Sequence, residues 1–180
     1  MDRTTAGRNT ARRVKILVTG RVQGVGFRPT LYRELTDRGC AGSIRNTARG
    51  VEIDVEATPE TVRNVIQNFR SLIPDRARVD ELSWEEAEPT GEEEFCIEKS
   101  SSSGPSLLPV PPDLATCPTC AREVRSANTR RQGYPFNTCA ACGPRFTIAR
   151  RVPFDRETSA MDDFPRCPEC EDEFTSPSDR

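Results

Sequence analysis

Gly20-Arg21-Val22-Gln23-Gly24-Val25-Gly26-Phe27-Arg28 decides how the first half of this sequence folds, because of what stands on either side of it. Before it, Val14, Ile16 and Val18 alternate with the period of a half-buried strand. After it, Pro29 suits the first turn of a helix, and Leu31, Tyr32 and Leu35 recur at helical spacing until Gly39 ends the run. The nine residues are therefore a turn from a strand into a helix, where backbone amides converge on an anion and the unpaired amides of the helix end add to them. Glycines at 20, 24 and 26 permit the tight curl that such a cradle needs. A tight connection of this kind is also built where no ligand binds, so the loop alone leaves both readings open.

The same reading extends outward along the chain. Residues 40–47 and 51–57 make a hairpin, with Val51, Ile53 and Val55 facing inward and Glu52, Asp54 and Glu56 facing water. Thr58 and Pro59 open a second helix, whose stripe of Val62, Val65, Ile66, Phe69 and Ile73 runs to Pro74. Strands near 78–87 and 94–99 complete the set. The order β-α-β-β-α-β predicts a ferredoxin-like α+β domain over 13–99, an antiparallel sheet with two helices on one face. Residues 1–12 are polar and basic and are expected to be a flexible N-terminus. Residues 100–112 (SSSSGPSLLPVPP) read as a linker, and 113–180 as a separate cysteine-rich region.

The loop from Gly20 to Arg28 closely resembles the signature loop of the acylphosphatase family, and Asn46 follows Arg28 by eighteen residues on the neighbouring strand, as that family's pattern requires. The resemblance implies that Arg28 binds a substrate phosphate and that the amides of Val22, Gln23, Gly24, Val25, Gly26 and Phe27 cradle it. It implies further that Asn46 orients the water that attacks phosphorus, with no metal at this site. Such chemistry is physically economical, since an acyl phosphate already carries a good leaving group and needs chiefly a placed water and spread negative charge. No histidine occurs anywhere in the chain, which excludes a histidine-dependent phosphatase or a Ser-His-Asp mechanism. A domain of this type can also bind phosphate without turning it over.

With 34% apolar and 30% charged residues, a single core across all 180 residues would lack material. Cysteine supplies another means of holding the second half together. Six of the eight cysteines fall in three CxxC pairs, Cys117 with Cys120, Cys139 with Cys142, and Cys167 with Cys170. No secretory signal or apolar run long enough for a membrane span is found, so a cytoplasmic, reducing setting is expected, in which paired CxxC motifs mean metal before disulfides. Cys117, Cys120, Cys139 and Cys142 can close a tetrahedral zinc site, structural because four sulfurs leave no position for water. Thiol redox chemistry is the alternative. Cys167 and Cys170 are two ligands of an incomplete site. Cys40 and Cys96 read as small buried residues of the sheet, and Trp84 as structural.

From CPTC at 117 to CPEC at 167, the region resembles the tandem zinc fingers of the hydrogenase-maturation carbamoyltransferases, in which an acylphosphatase domain precedes two four-cysteine fingers. The resemblance implies one zinc on Cys117, Cys120, Cys139 and Cys142, and half of a second on Cys167 and Cys170. It implies carbamoyl phosphate as the substrate, hydrolysed to carbamate and phosphate, and a maturation protein that accepts the carbamoyl group. On this reading the chain is an excised N-terminal piece or a shortened relative, without full carbamoyl transfer. Two other readings stand beside it: a non-catalytic, phosphate-binding docking scaffold, and a nucleic-acid-binding zinc protein using arginines 122 to 156. A net charge of −2 argues against general polyanion binding.

Overall fold

The computed structural model describes residues 11–101, 112–139 and 142–176, so the expected linker lies almost wholly outside the described residues. Strand β1 (Arg12–Arg21) leads through the loop into helix α1 (Phe27–Thr36), followed by the hairpin β2 (Ala41–Asn46) and β3 (Val51–Ala57). Helices α2 (Pro59–Gln67) and α3 (Phe69–Leu72) come next, then β4 (Arg78–Ala87) and β5 (Phe95–Ile97). The sheet order is β4-β1-β3-β2-β5. Its first four strands pair antiparallel, but β5 runs parallel to β2, with Gly42 opposite Phe95 and Ile44 opposite Ile97. The α+β expectation holds, while the wholly antiparallel sheet is corrected to a mixed one.

Period-two alternation puts Val14, Ile16, Val18, Val51, Ile53 and Val55 on the helix-covered face, each at most 3% exposed. Phe27, Leu31 and Leu35 of α1 meet them, with Val62 and Val65 of α2 and Phe69 and Leu72 of α3. Each such side chain contributes about 1.5–3 kcal/mol on burial. The second helix, expected to continue to Pro74, breaks at Asn68 (φ −105°, ψ 14°), whose side-chain amide donates to the Asn64 carbonyl at 3.1 Å. The Asn68 backbone amide donates to the same carbonyl at 3.0 Å, so the helical ladder ends only after Asn68, and α3 restarts with Phe69 turned into the core beside Phe27.

Two smaller expectations are corrected, for Cys96 and Glu56. Cys96 is exposed, because β5 turns Phe95 inward and alternation sends its neighbour out; Cys40 is buried as expected, and burial pushes its thiol up to about 11. Glu56 is only 5% exposed, since the chain after β4 folds over it. Trp84 is exposed on the outer sheet face, with the Arg12 guanidinium over its ring at 6.0 Å.

In the cysteine-rich region Cys117 caps helix α4 (Pro118–Arg125) and Cys167 caps helix α5 (Pro168–Thr175), each with proline in the first turn. Short 3₁₀ turns at Phe146–Ile148, Arg156–Thr158 and Ala160–Asp163 lie between them. No helix among the described residues is long and apolar enough to cross a membrane.

Candidate functional site

The loop after β1 is held from beneath by its apolar side chains: Val22 and Val25 are fully buried and Phe27 nearly so. Gly24 (φ 70°) and Gly26 (φ 76°) take the left-handed conformation that a side chain resists. The Val22 amide donates to the Gly20 carbonyl at 3.0 Å. The amides of residues 23–27 donate to no group among the described residues, so five successive donors are left at the entrance to α1. Such an array is able to take an anion.

Asn46, the last residue of β2, pairs with Val51 and is 2% exposed. Its Nδ2 lies 3.5 Å from the Phe154 carbonyl oxygen. Its Oδ1 is buried and accepts no hydrogen bond from any described residue. A buried amide oxygen left in that state costs about 1–3 kcal/mol, a cost that a small donor placed there would relieve.

The Gln23 side chain joins the loop to the hairpin. Its Nε2 donates to the Thr47 and Gly50 carbonyls at 2.9 and 2.8 Å, and its Oε1 accepts from the Phe154 amide at 3.3 Å. Arg28, in the first turn of α1, donates to Ser100 Oγ at 3.3 Å and forms an ion pair with Asp155. Gln23, Arg28 and Asn46 thus converge on a single dipeptide, Phe154-Asp155. Sequence reasoning singled out all three through the family pattern but missed Ser100, Phe154 and Asp155, for which no local signal exists. Arg45 and Arg49 turn to the outer sheet face, where both pair with Glu52 and Arg45 also with Glu98.

Cys117, Cys120, Cys139 and Cys142 come together as expected, all four sulfurs within 4.8 Å of one another. Sulfurs on a tetrahedral ion with bonds of ~2.3 Å would stand about 3.8 Å apart. Contacts of 3.8 Å for Cys117 with Cys139, 3.8 Å for Cys139 with Cys142 and 3.7 Å for Cys142 with Cys120 match that edge. The hydrogen bond from Cys139 pulls the Cys142 thiol down, whereas burial pushes that of Cys120 up. The donor set therefore fits a structural metal.

Cys167 and Cys170 do not join these four. Arg130 lies against them, with its guanidinium nitrogen 3.2 Å from Cys170 Sγ and 3.9 Å from Cys167 Sγ. Hydrogen bonding from Arg130 lowers the Cys170 thiol. Much of the arginine-rich patch is taken up by acids: Arg130 and Arg131 by Glu173, Arg150 by Asp163, and Arg166 by Glu171.

Comparison with known proteins agrees with this geometry. Residues 14–97 match the family model described as Acylphosphatase, and residues 116–149 the one described as HypF finger. A probable carbamoyltransferase HypF from Methanocaldococcus jannaschii is 40% identical over 149 residues, covering 81% of this chain and 19% of the relative. An acylphosphatase from Thermococcus kodakarensis is 42% identical over 88 residues, 47% of this chain and 93% of that enzyme. A crystal structure of full-length HypF in a phosphate- and nucleotide-bound form superposes with a TM-score of 0.89 at 34% identity, over 97% of this chain and 23% of that one. The chain spans about a fifth of the length of the curated carbamoyltransferases it matches.

Proposed function

This chain belongs to the acylphosphatase family through residues 14–97, joined to the finger of HypF carbamoyltransferases, and on that premise we propose that it hydrolyses an acyl phosphate, carbamoyl phosphate before others. The observation that carries this reading is the buried, unpartnered Oδ1 of Asn46, on the same dipeptide contact as Arg28.

A water that donates one hydrogen to Asn46 Oδ1 has its lone pair free for phosphorus. The phosphoryl group lies on the amides of residues 23–27 and on Arg28, which take up the charge that grows on its oxygens. The P–O bond to the acyl group breaks as the bond to water forms. Carbamate leaves with the bridging oxygen, and the water's proton passes to solvent. No group of this chain needs to change protonation, which fits the absence of histidine.

Zinc is the metal we assign to Cys117, Cys120, Cys139 and Cys142, where it would cross-link the two knuckles and take no part in the hydrolysis. Cys167 and Cys170 are assigned to a second zinc whose other ligands are not among the described residues. We assign a reducing, cytoplasmic setting, since paired CxxC motifs hold metal only while their thiols stay reduced. As part of a longer carbamoyltransferase, the module would supply carbamate towards a hydrogenase-maturation protein. The second reading, a phosphate-binding docking scaffold without turnover, is favoured by one observation, that Arg28 already holds a carboxylate.

Phosphate release from carbamoyl phosphate and acetyl phosphate, corrected for spontaneous breakdown, separates the two. Wild-type release that falls roughly 100-fold or more in Arg28→Ala and in Asn46→Ala supports hydrolysis. Release unchanged in both variants contradicts the assignment, and release no faster than buffer favours the scaffold.

A further inference from the structure

Arg28, the cation proposed to hold phosphate, already faces an anion of the protein's own. Asp155, 127 residues away in sequence, is ion-paired with Arg28, the cation expected to hold the substrate. This is no stray surface contact, because the dipeptide is engaged at three points. The Phe154 amide donates to Gln23 Oε1, the Phe154 carbonyl faces Asn46 Nδ2, and Phe154 itself is 9% exposed.

The segment that presents Asp155 is braced within the cysteine-rich region. The Asp155 amide donates to Thr158 Oγ1 at 2.8 Å, Thr158 Oγ1 donates to the Pro153 carbonyl at 2.8 Å, and the Arg150 amide donates to the Thr158 carbonyl at 2.9 Å. An Ala149–Ser159 bridge closes its base. On the other side, Arg145 Nε reaches the Cys142 carbonyl at 3.4 Å, which ties the segment to the four-cysteine centre.

A carboxylate and a phosphate ask for the same thing from a guanidinium, a planar fork of donors. They cannot share it without bringing like charges together. We propose that Asp155 is an intramolecular competitor for the phosphate site: its carboxylate occupies Arg28 until a phosphoryl dianion displaces it, so binding requires the Phe154-Asp155 segment to release its hold. The cysteine-rich region then sets the apparent affinity of the site in front of it, since a ligand that binds only the released state sees its affinity reduced by the fraction released. This rests on the reading of the loop as a phosphate site.

The test is titration of inorganic phosphate into the whole metal-loaded chain at fixed salt, followed calorimetrically, for wild type, Arg28→Ala, Asp155→Asn, Asp155→Ala and the double variant Asp155→Asn/Arg28→Ala. Asparagine keeps the backbone bonds of the turn and removes only the charge. Binding tighter by roughly threefold to tenfold in both single variants, and lost in the double variant, is the expected result. Binding unchanged or weaker in the single variants overturns the competitor while leaving the phosphate site standing, provided wild-type binding still depends on Arg28. If no variant binds phosphate while all stay folded by circular dichroism, the phosphate site and the competitor fall together.

Discussion

A carboxylate shut away from water must find donors, and Glu56 finds three: the Thr90 amide at 2.7 Å, the Thr90 hydroxyl at 3.1 Å and the Gly91 amide at 2.9 Å. It thereby fastens the connection between β4 and β5, and with it the edge strand that lies beside β2 and Asn46. Glu56→Ala should cost about 1–3 kcal/mol, measured as a shift in the urea midpoint at unchanged slope. Nothing in the strand VEIDVEA distinguishes Glu56 from Glu52 or Asp54, because the distinction comes from a loop more than thirty residues later. Asn46 and Arg28 stood out in the sequence for a different reason: a loop motif and a fixed spacing named them together, while the orphaned Asn46 oxygen on which the proposal rests is visible only in three dimensions.

At the scale of elements, α1, β1 and β3 were readable from hydrophobic period, since each buries one face. Strand β5 was readable as a strand but not in direction; parallel pairing depends on a connection that carries no periodic signal. The knuckles were legible because a metal fixes ligand spacing in sequence as strictly as in space. They also carry the sharpest prediction at this scale. Reduced chain purified without chelator should hold one tightly bound metal on Cys117, Cys120, Cys139 and Cys142 by elemental analysis, and Cys142→Ser should abolish it. Acid should release it, since protons compete for thiolates. The sign is that of any thiolate site: the ligands must lose their protons to bind, so metal is held at neutral pH and given up as pH falls. Metal content unchanged on acidification to the point where the chain unfolds would contradict this.

Across the whole molecule, the sheet and the cysteine-rich region meet where Phe154 and Asp155 lie over Gln23, Arg28 and Asn46. Neither half shows this in its own sequence. A contact spanning 127 residues leaves no period or spacing to read, and Phe154 and Asp155 look there like ordinary turn residues. What both halves serve is a single claim, that Asn46 delivers water to the phosphorus of a substrate held on Arg28 and the loop. Hydrolysis of acetyl phosphate in water labelled with ¹⁸O tests it most directly, with the rate in Asn46→Ala subtracted as background. One labelled oxygen in the phosphate released by the wild-type chain, and none in acetate, is the predicted result. Label in acetate would mean attack at the carbonyl carbon and would contradict the account.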